Sequence, residues 1–257
     1  MSFKKLLIIL HLVFVMLSSS IAVASSLDEG KTAFDNGDYS AAVELLLPLA
    51  IDGNGYAQYR MGYMYAVGKG VQRSHKKKLE WYERAAKSGY VPAFSSTARA
   101  YQMLGGESSL SGPTQESEAY HKQAFKWYSK AADAGSSSGL HGLAQLYNGG
   151  YGVKRNHPQA IAYYTDAAML GNTFSQFSLA MELAHDYRMS GNIIYLEQAY
   201  KWLKIHAFYD TEDADTYAKD SFSRAQRYKQ YKNLTRNQVS RITQEAINCV
   251  VSNFKEC

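Results

Sequence analysis

Side chains able to do chemistry are scattered through this 257-residue chain, and each apparent motif lacks a required part. Gly135-Ser136-Ser137-Ser138-Gly139 spells G-x-S-x-G, which presents a nucleophilic serine only where a strand turns sharply into a helix. Here it separates two helical patterns, so it reads as a helix stop followed by a linker. Ser74-His75-Lys76-Lys77 and Ser252-Asn253-Phe254-Lys255 have the S-x-x-K spacing of acyl-transfer enzymes, but S-D-N and K-T-G occur nowhere in the chain. Gly30-Lys31-Thr32 resembles the end of a phosphate loop, yet the glycine required five residues earlier is Ser25.

Metal chemistry is no better served. Histidines 75, 121, 141, 157, 185 and 206 stand singly, without H-E-x-x-H and without cysteine at ligand spacing. Asp210, Glu212, Asp213 and Asp215 lack the glycine and terminal glutamate of a calcium loop and read as a solvated connection. The sequence therefore predicts no catalytic residue, no metal and no cofactor. The two cysteines, Cys249 and Cys257, lie eight positions apart. On one continuous helix their Cα atoms would be roughly 12 Å apart, beyond the ~7 Å reach of a disulfide. A bridge requires the helix to end near Asn253, and a free-thiol count separates the two cases.

The elements that carry these residues repeat. An aromatic pair, an Ala pair and a Gly recur as Trp81-Tyr82, Ala85-Ala86 and Gly89; as Trp127-Tyr128, Ala131-Ala132 and Gly135; and as Tyr163-Tyr164, Ala167-Ala168 and Gly171. An aliphatic copy lies at Leu45-Leu46 and an eroded one at Trp202-Leu203, giving steps of 36, 46, 36 and 39 residues. Periods of this size mark stacked repeats. On a helix, i and i+4 share a face, so each ring sits beside a small side chain that lets a neighbouring backbone approach. The closing Gly suits a left-handed cap. Before each such helix comes another with a small residue at an equivalent position, Gly62, Ala98, Ala144 and Ala180. Two of these first helices end in G-x-G-V, at Gly68 to Val71 and at Gly150 to Val153.

The order A-x-x-x-[LM]-[GA]-x-x-Y, then G-x-G-V, then W-Y-x-x-A-A-x-x-G resembles the Sel1-like repeat, a relative of the tetratricopeptide repeat, from about Asp38 to Phe208. The resemblance implies an all-α fold, an α-solenoid of stacked antiparallel helix pairs forming a Sel1-like, TPR-like superhelix with terminal capping helices. We expect a capping helix pair over 25–53 and repeats at about 54–90, 91–136, 137–172 and 173–210. Capping helices should follow over 211–257. The second repeat has a loop over 104–114 in place of the G-x-G-V turn, and the fourth has Tyr187 to Asn192 there. L-T-x-x-Q at Leu234 to Gln238 resembles the C-terminal closure of exported Sel1-like proteins.

Residues 1–24 have a positive start at Lys4-Lys5, an apolar run from Leu6 to Leu17 and a small-residue site at Ala22-Val23-Ala24. These are the three parts of a secretory signal peptide. The run is shorter than the roughly 20 residues that span a bilayer, so the expected product is periplasmic or secreted, without stable membrane insertion. The formal charge of +5 includes both signal lysines. That charge is too mild and dispersed for nucleic acid; the densest basic run, Arg73 with Lys76-Lys77-Lys78, reads as a solvated helix start.

Stacked helix pairs leave a groove lined by first helices, which is a docking surface. Off-stripe positions place Gln58, Arg60, Tyr63, Ser95, Ser96, Arg99, His141, Gln145 and Gln176 there, a mixture suited to a protein or peptide partner in the envelope. The expected function is a non-enzymatic adaptor or regulator. The alternative, carried by the resemblance alone, is a weak β-lactam or peptidoglycan hydrolase like some cysteine-rich secreted Sel1-like proteins. Those carry a cysteine pair in each repeat, whereas this chain has no cysteine between Ser25 and Asn248.

Overall fold

A computed structural model describes residues 26–109, 112–209, 233–255 and 257, and among these every regular element is a helix. The expected signal peptide, the acidic connection and the first part of the capping region expected over 211–257 lie outside the described residues. Contacts divide the chain into two units, one running to Leu104 and the other from Gly105.

In the first unit, α1 (26–35), α2 (Tyr39–Ile51), α3 (Gly55–Val67), α4 (His75–Lys87) and the start of α5 (Pro92–Glu107) follow one another. Short polar side chains start them: Asp38, Asn54 and Ser74 each accept a hydrogen bond from the backbone N–H three residues on, satisfying donors that a helix start leaves open. Phe34, Leu46, Met61, Met64 and Trp81 close a core around Ala42 and Ala57. Gly62 packs so closely on the Tyr82 ring that a Cβ would overlap it.

The second unit contains α6 (Gln115–Asp133), α7 (Ser137–Gly149), α8 (His157–Met169), α9 (Thr173–Ser190), α10 (Ile193–Tyr209) and α11 (Arg236–Val251), each of these packed against its neighbour in sequence. Its core gathers Tyr164, Leu179, Leu183, Trp202 and Ile205 around the alanines at 144, 160, 168, 180 and 199. Trp127, Tyr128 and Ala131 are buried on α6, and Gly135 has φ +80° just beyond that helix. The repeating ring-plus-alanine pattern thus forms stacked antiparallel helix pairs, as its period implied.

The G-x-G-V turn has a double physical cause. Its first glycine, at 68 or 150, is the left-handed cap of a helix, with φ of 76° and 72°. Its second meets main chain of the preceding helix pair, where a Cβ on Gly70 would fall on the Tyr39 carbonyl and one on Gly152 would lie 2.6 Å from the His121 carbonyl carbon. The turn is therefore a repeat-to-repeat contact that only glycine permits.

One expectation needs correction: α5 continues through Glu107, into the stretch read as loop from residue 104, and α9, which has Tyr187 to Asn192 in place of the G-x-G-V turn, continues through Ser190. Neither sequence has a glycine cap at the usual place, so the intrahelical bonds run on. In α9 the stop is Gly191, at φ 70°.

The last helix opens as its sequence suggests. Thr235 caps α11 and its hydroxyl and main-chain N–H pair reciprocally with Gln238. α11 ends at Val251, after which Asn253 and Phe254 adopt φ of 52° and 65°. That reversal buries Phe254 and brings the Cα atoms of Cys249 and Cys257 to 4.6 Å, with their sulfurs bonded. Protein isolated without reductant should give no free thiol in a denaturing titration, and Cys249→Ser with Cys257→Ser should lower stability by about 2–3 kcal/mol, the loop-entropy figure for so short a closure.

Candidate interaction sites

In the first unit, half-buried residues of α3 at the edge of the core gather rings around one cation. The Arg60 guanidinium lies 4.3 Å from the Phe34 ring centre, 4.8 Å from that of Tyr56 and 6.0 Å from that of Tyr59. Its Nε is buried without a hydrogen-bond partner, so ring faces, not acceptors, hold the cation. Tyr63 meets Phe34 edge-on at 5.4 Å, and Tyr59 tilts against both Tyr82 and Tyr90 at 5.5 Å. Burial raises the Tyr82 phenol well above its ordinary value, with Arg99 and Arg60 both pulling it back down. Arg60 and Arg99 therefore act on one hydroxyl from two different helices.

Beside this patch is a cleft of about 250 Å³ between the end of α3, the start of α4 and α5. Arg73, His75, Lys78 and Arg99 line it together with Tyr82, Ser96 and Met103, and among the described residues that line it none is acidic. Lys78 corrects the reading of the basic run as solvated. Lys76 and Lys77 are exposed, but Lys78 is only 8% exposed, its Nζ 3.9 Å from Met103 Sδ.

Of the residues expected to line a groove, the structure gathers Ser96 and Arg99 at this cleft and Arg60 and Tyr63 in the ring cluster. Ser95 is half-buried elsewhere on α5. Gln58 and Gln176 are corrections: they are 6% and 0% exposed, and each donates its amide Nε2 back to a carbonyl eight residues earlier, Ala50 at 3.0 Å and Ala168 at 3.4 Å. They occupy one equivalent repeat position and tie a first helix to the end of the preceding one. A polar side chain on the core stripe is a signal that pattern alone reads as solvent-facing.

In the second unit, His141 and Gln145 are half-buried on α7. His141 Nδ1 lies 2.8 Å from Ser175 Oγ, the one serine–histidine contact of a length suited to nucleophile activation among the hydrogen bonds described. Its chemistry is poor for that purpose. Ser175 is fully buried, and burial lowers the imidazole to about 4, leaving a weak base. The pair ties α7 to α9. Because the folded pKa is below the unfolded ~6.5, the unfolded chain binds more protons between these values. Stability is thus complete above pH 6.5 and falls as pH drops toward 4. His141→Asn should flatten the loss of melting temperature between pH 7 and pH 5; an unchanged slope would remove His141 as its source.

A second polar cluster joins α7 and α8 to α9: His157 Nε2 is 2.9 Å from Asp186 Oδ1, and Asn148 Nδ2 donates to Glu182 Oε1 at 2.6 Å. Among the described residues no group of His, Cys, Asp and Glu is arranged to hold a metal, and no helix is long and apolar enough to cross a membrane. Gly135–Gly139 joins two helices, with Ser136 capping α7 through the Gly139 N–H, so it forms no strand-to-helix elbow.

Stacked antiparallel helix pairs with recurring ring-plus-alanine helices define a helical-repeat protein of the α-solenoid class. More narrowly, the chain carries Sel1 repeats, which match at residues 55–90, 99–136 and 137–172. Solved structures agree on the fold. One is c5321, a protective antigen present in uropathogenic Escherichia coli strains with an SLR fold (24% identity, TM-score 0.64). That match covers 83% of this chain but only 42% of c5321, so the chain spans less than half of its length. Another is a Sel1 repeat protein from Oxalobacter formigenes (22% identity, TM-score 0.56), with 78% of this chain and 74% of that one covered. No curated protein matches the sequence. Sel1-repeat proteins are generally protein-interaction modules, typically non-enzymatic scaffolds.

Proposed function

We propose that this protein is exported by its N-terminal segment, 1–24, and works in the periplasm or envelope as a non-enzymatic adaptor that holds a protein partner. The supporting observation is Arg60, fixed over Phe34 and Tyr56 and flanked by Tyr59 and Tyr63. Arg and Tyr held in place lose little freedom on binding and are the residue types that dominate interface energetics. The expected repeat boundaries and the remaining groove residues, Ser95, Ser96, Arg99, His141 and Gln145, belong to the same reading.

A photoreactive amino acid at position 63 tests it in cells. A discrete crosslinked adduct in the envelope fraction, lost in the Arg60→Glu variant, is expected. An adduct pattern unaffected by Arg60→Glu removes this face, and a reporter fused after residue 40 that is active only in the cytoplasm removes export. Turnover of a chromogenic β-lactam that disappears in Ser175→Ala would overturn the non-enzymatic assignment.

A further inference from the structure

Rings hold the Arg60 guanidinium, and its N–H groups go unanswered. Phe34 and Tyr56 have their ring centres 4.3 and 4.8 Å from it, and Nε is buried with no acceptor. Among the described residues no ion pair and no hydrogen bond engages Arg60. A guanidinium drawn partly out of water loses hydration that ring contact restores only in part, so a negative group arriving from outside gains more here than on an open surface. Tyr56, Tyr59, Arg60 and Tyr63 stand at i, i+3, i+4 and i+7 of α3, one face of the helix. Lys31 on α1 and Arg99 on α5 flank it in the helices before and after: Lys31 Nζ lies 5.6 Å from the Tyr56 ring centre, and Arg99 acts with Arg60 on the Tyr82 hydroxyl. Asp28 answers Lys31 at 2.9 Å, whereas Arg99 is exposed and has no ion pair among the described residues.

We infer that Arg60 is the docking point for a glutamate or aspartate side chain carried by an extended segment of the partner protein. The inference rests on the adaptor reading and gives that partner its chemistry. Charge complementarity selects the carboxylate, because Arg60 and Arg99 are cations that no acid of the described fold neutralises, and planar N–H donors match two carboxylate oxygens. The tyrosines select a peptide over a bare anion. Their rings offer apolar surface to methylenes, and the Tyr56, Tyr59 and Tyr63 hydroxyls, which have no hydrogen-bond partner among the described residues, suit the main chain of an extended segment. α3 and α5 flank one cleft. Packed helix axes lie roughly 8–10 Å apart and an extended chain rises about 3.3 Å per residue, so carboxylates about three positions apart reach Arg60 and Arg99 together.

The test adds two fluorescein-labelled peptides to the purified full chain and follows fluorescence anisotropy. One carries glutamate at every third position between serine and leucine, and the other has glutamine in its place. The glutamate peptide should bind about tenfold more tightly, an advantage that half-molar salt removes. Arg60→Gln should erase the preference and leave the affinity for the glutamine peptide as in the wild type. Arg60→Lys keeps the charge without the planar fork and should restore only part of it. Arg99→Gln changes an exposed side chain and should reduce the preference severalfold, which decides the matter should Arg60→Gln fail to fold. Equal binding of the two peptides by the wild type, equal weakening of both in an Arg60→Gln protein that melts like the wild type, or complete displacement by equimolar inorganic phosphate would each overturn the inference. Crosslinks at position 63 that depend on Arg60 while no glutamate preference exists would sink the carboxylate and leave the adaptor standing. A glutamate preference carried by Arg60 without any crosslinked partner would keep the site's chemistry and remove the adaptor.

Discussion

Trp127→Ala lowers the stability of the protein by about 3–5 kcal/mol, the cost of truncating a large buried ring to a methyl. Trp127 is 4% exposed on α6, one turn before the fully buried Ala131, whose methyl is too small to fill the space. Lys130 is the matched control. It is exposed, yet its Nζ lies 4.8 Å from the Trp127 ring centre, a cation–π contact. Lys130→Ala therefore costs about 0.5–1 kcal/mol, with little added by area. Chemical denaturation of both variants checks the assignment, and equal losses would contradict it.

Gly152→Ala should cost about 2–4 kcal/mol. Part is the left-handed backbone, φ 67°, which a Cβ-bearing residue adopts unwillingly. The rest is overpacking of about 1–3 kcal/mol, because the new methyl would meet the main chain of His121 and Lys122, which cannot swing aside as a side chain can. Gly106→Ala reverses the sign: it lies in α5 with nothing within 4 Å of its would-be Cβ, so a gain of about 0.5–1 kcal/mol is expected from helix propensity. A Gly152→Ala protein that melts like the wild type would mean that the turn does not press on the preceding helix pair.

These two positions also show what could be read before any coordinates. The ring-plus-alanine helices announced themselves because a buried stripe with period 3.6 recurs at a fixed spacing, and each copy vouches for the others. Leu234 to Gln238 stood out only by resemblance, and the structure shows why it opens a helix: Thr235 and Gln238 form a capping box. Long-range facts were not legible. Gln58 and Gln176 carry polar side chains at positions whose neighbours are apolar, and the carbonyls of Ala50 and Ala168, in the last turns of α2 and α8, give their amides a buried acceptor. Lys78 looked like its two lysine neighbours, and its different fate follows from α5 packing over it, with Met103 25 residues away. Tyr82 and Tyr128 were read as partners of their own alanine pairs, but their rings also press on Gly62 and Gly142, contacts no local pattern encodes.

The covalent link between Cys249 and Cys257 makes maturation a matter of redox compartment. It spans a reversal in which two residues other than glycine, Asn253 and Phe254, hold positive φ, and in which Phe254 reaches over Gly171 at the end of α8. While both thiols stay reduced, fraying of the tail is opposed by the apolar grip of Phe254 and its neighbours and by the Lys201 ammonium, which donates to the Cys257 carbonyl at 2.6 Å, so a newly made chain should be easier for proteases to nick there than an oxidised one. The copies of this protein that survive longest should be those that have already met an oxidant.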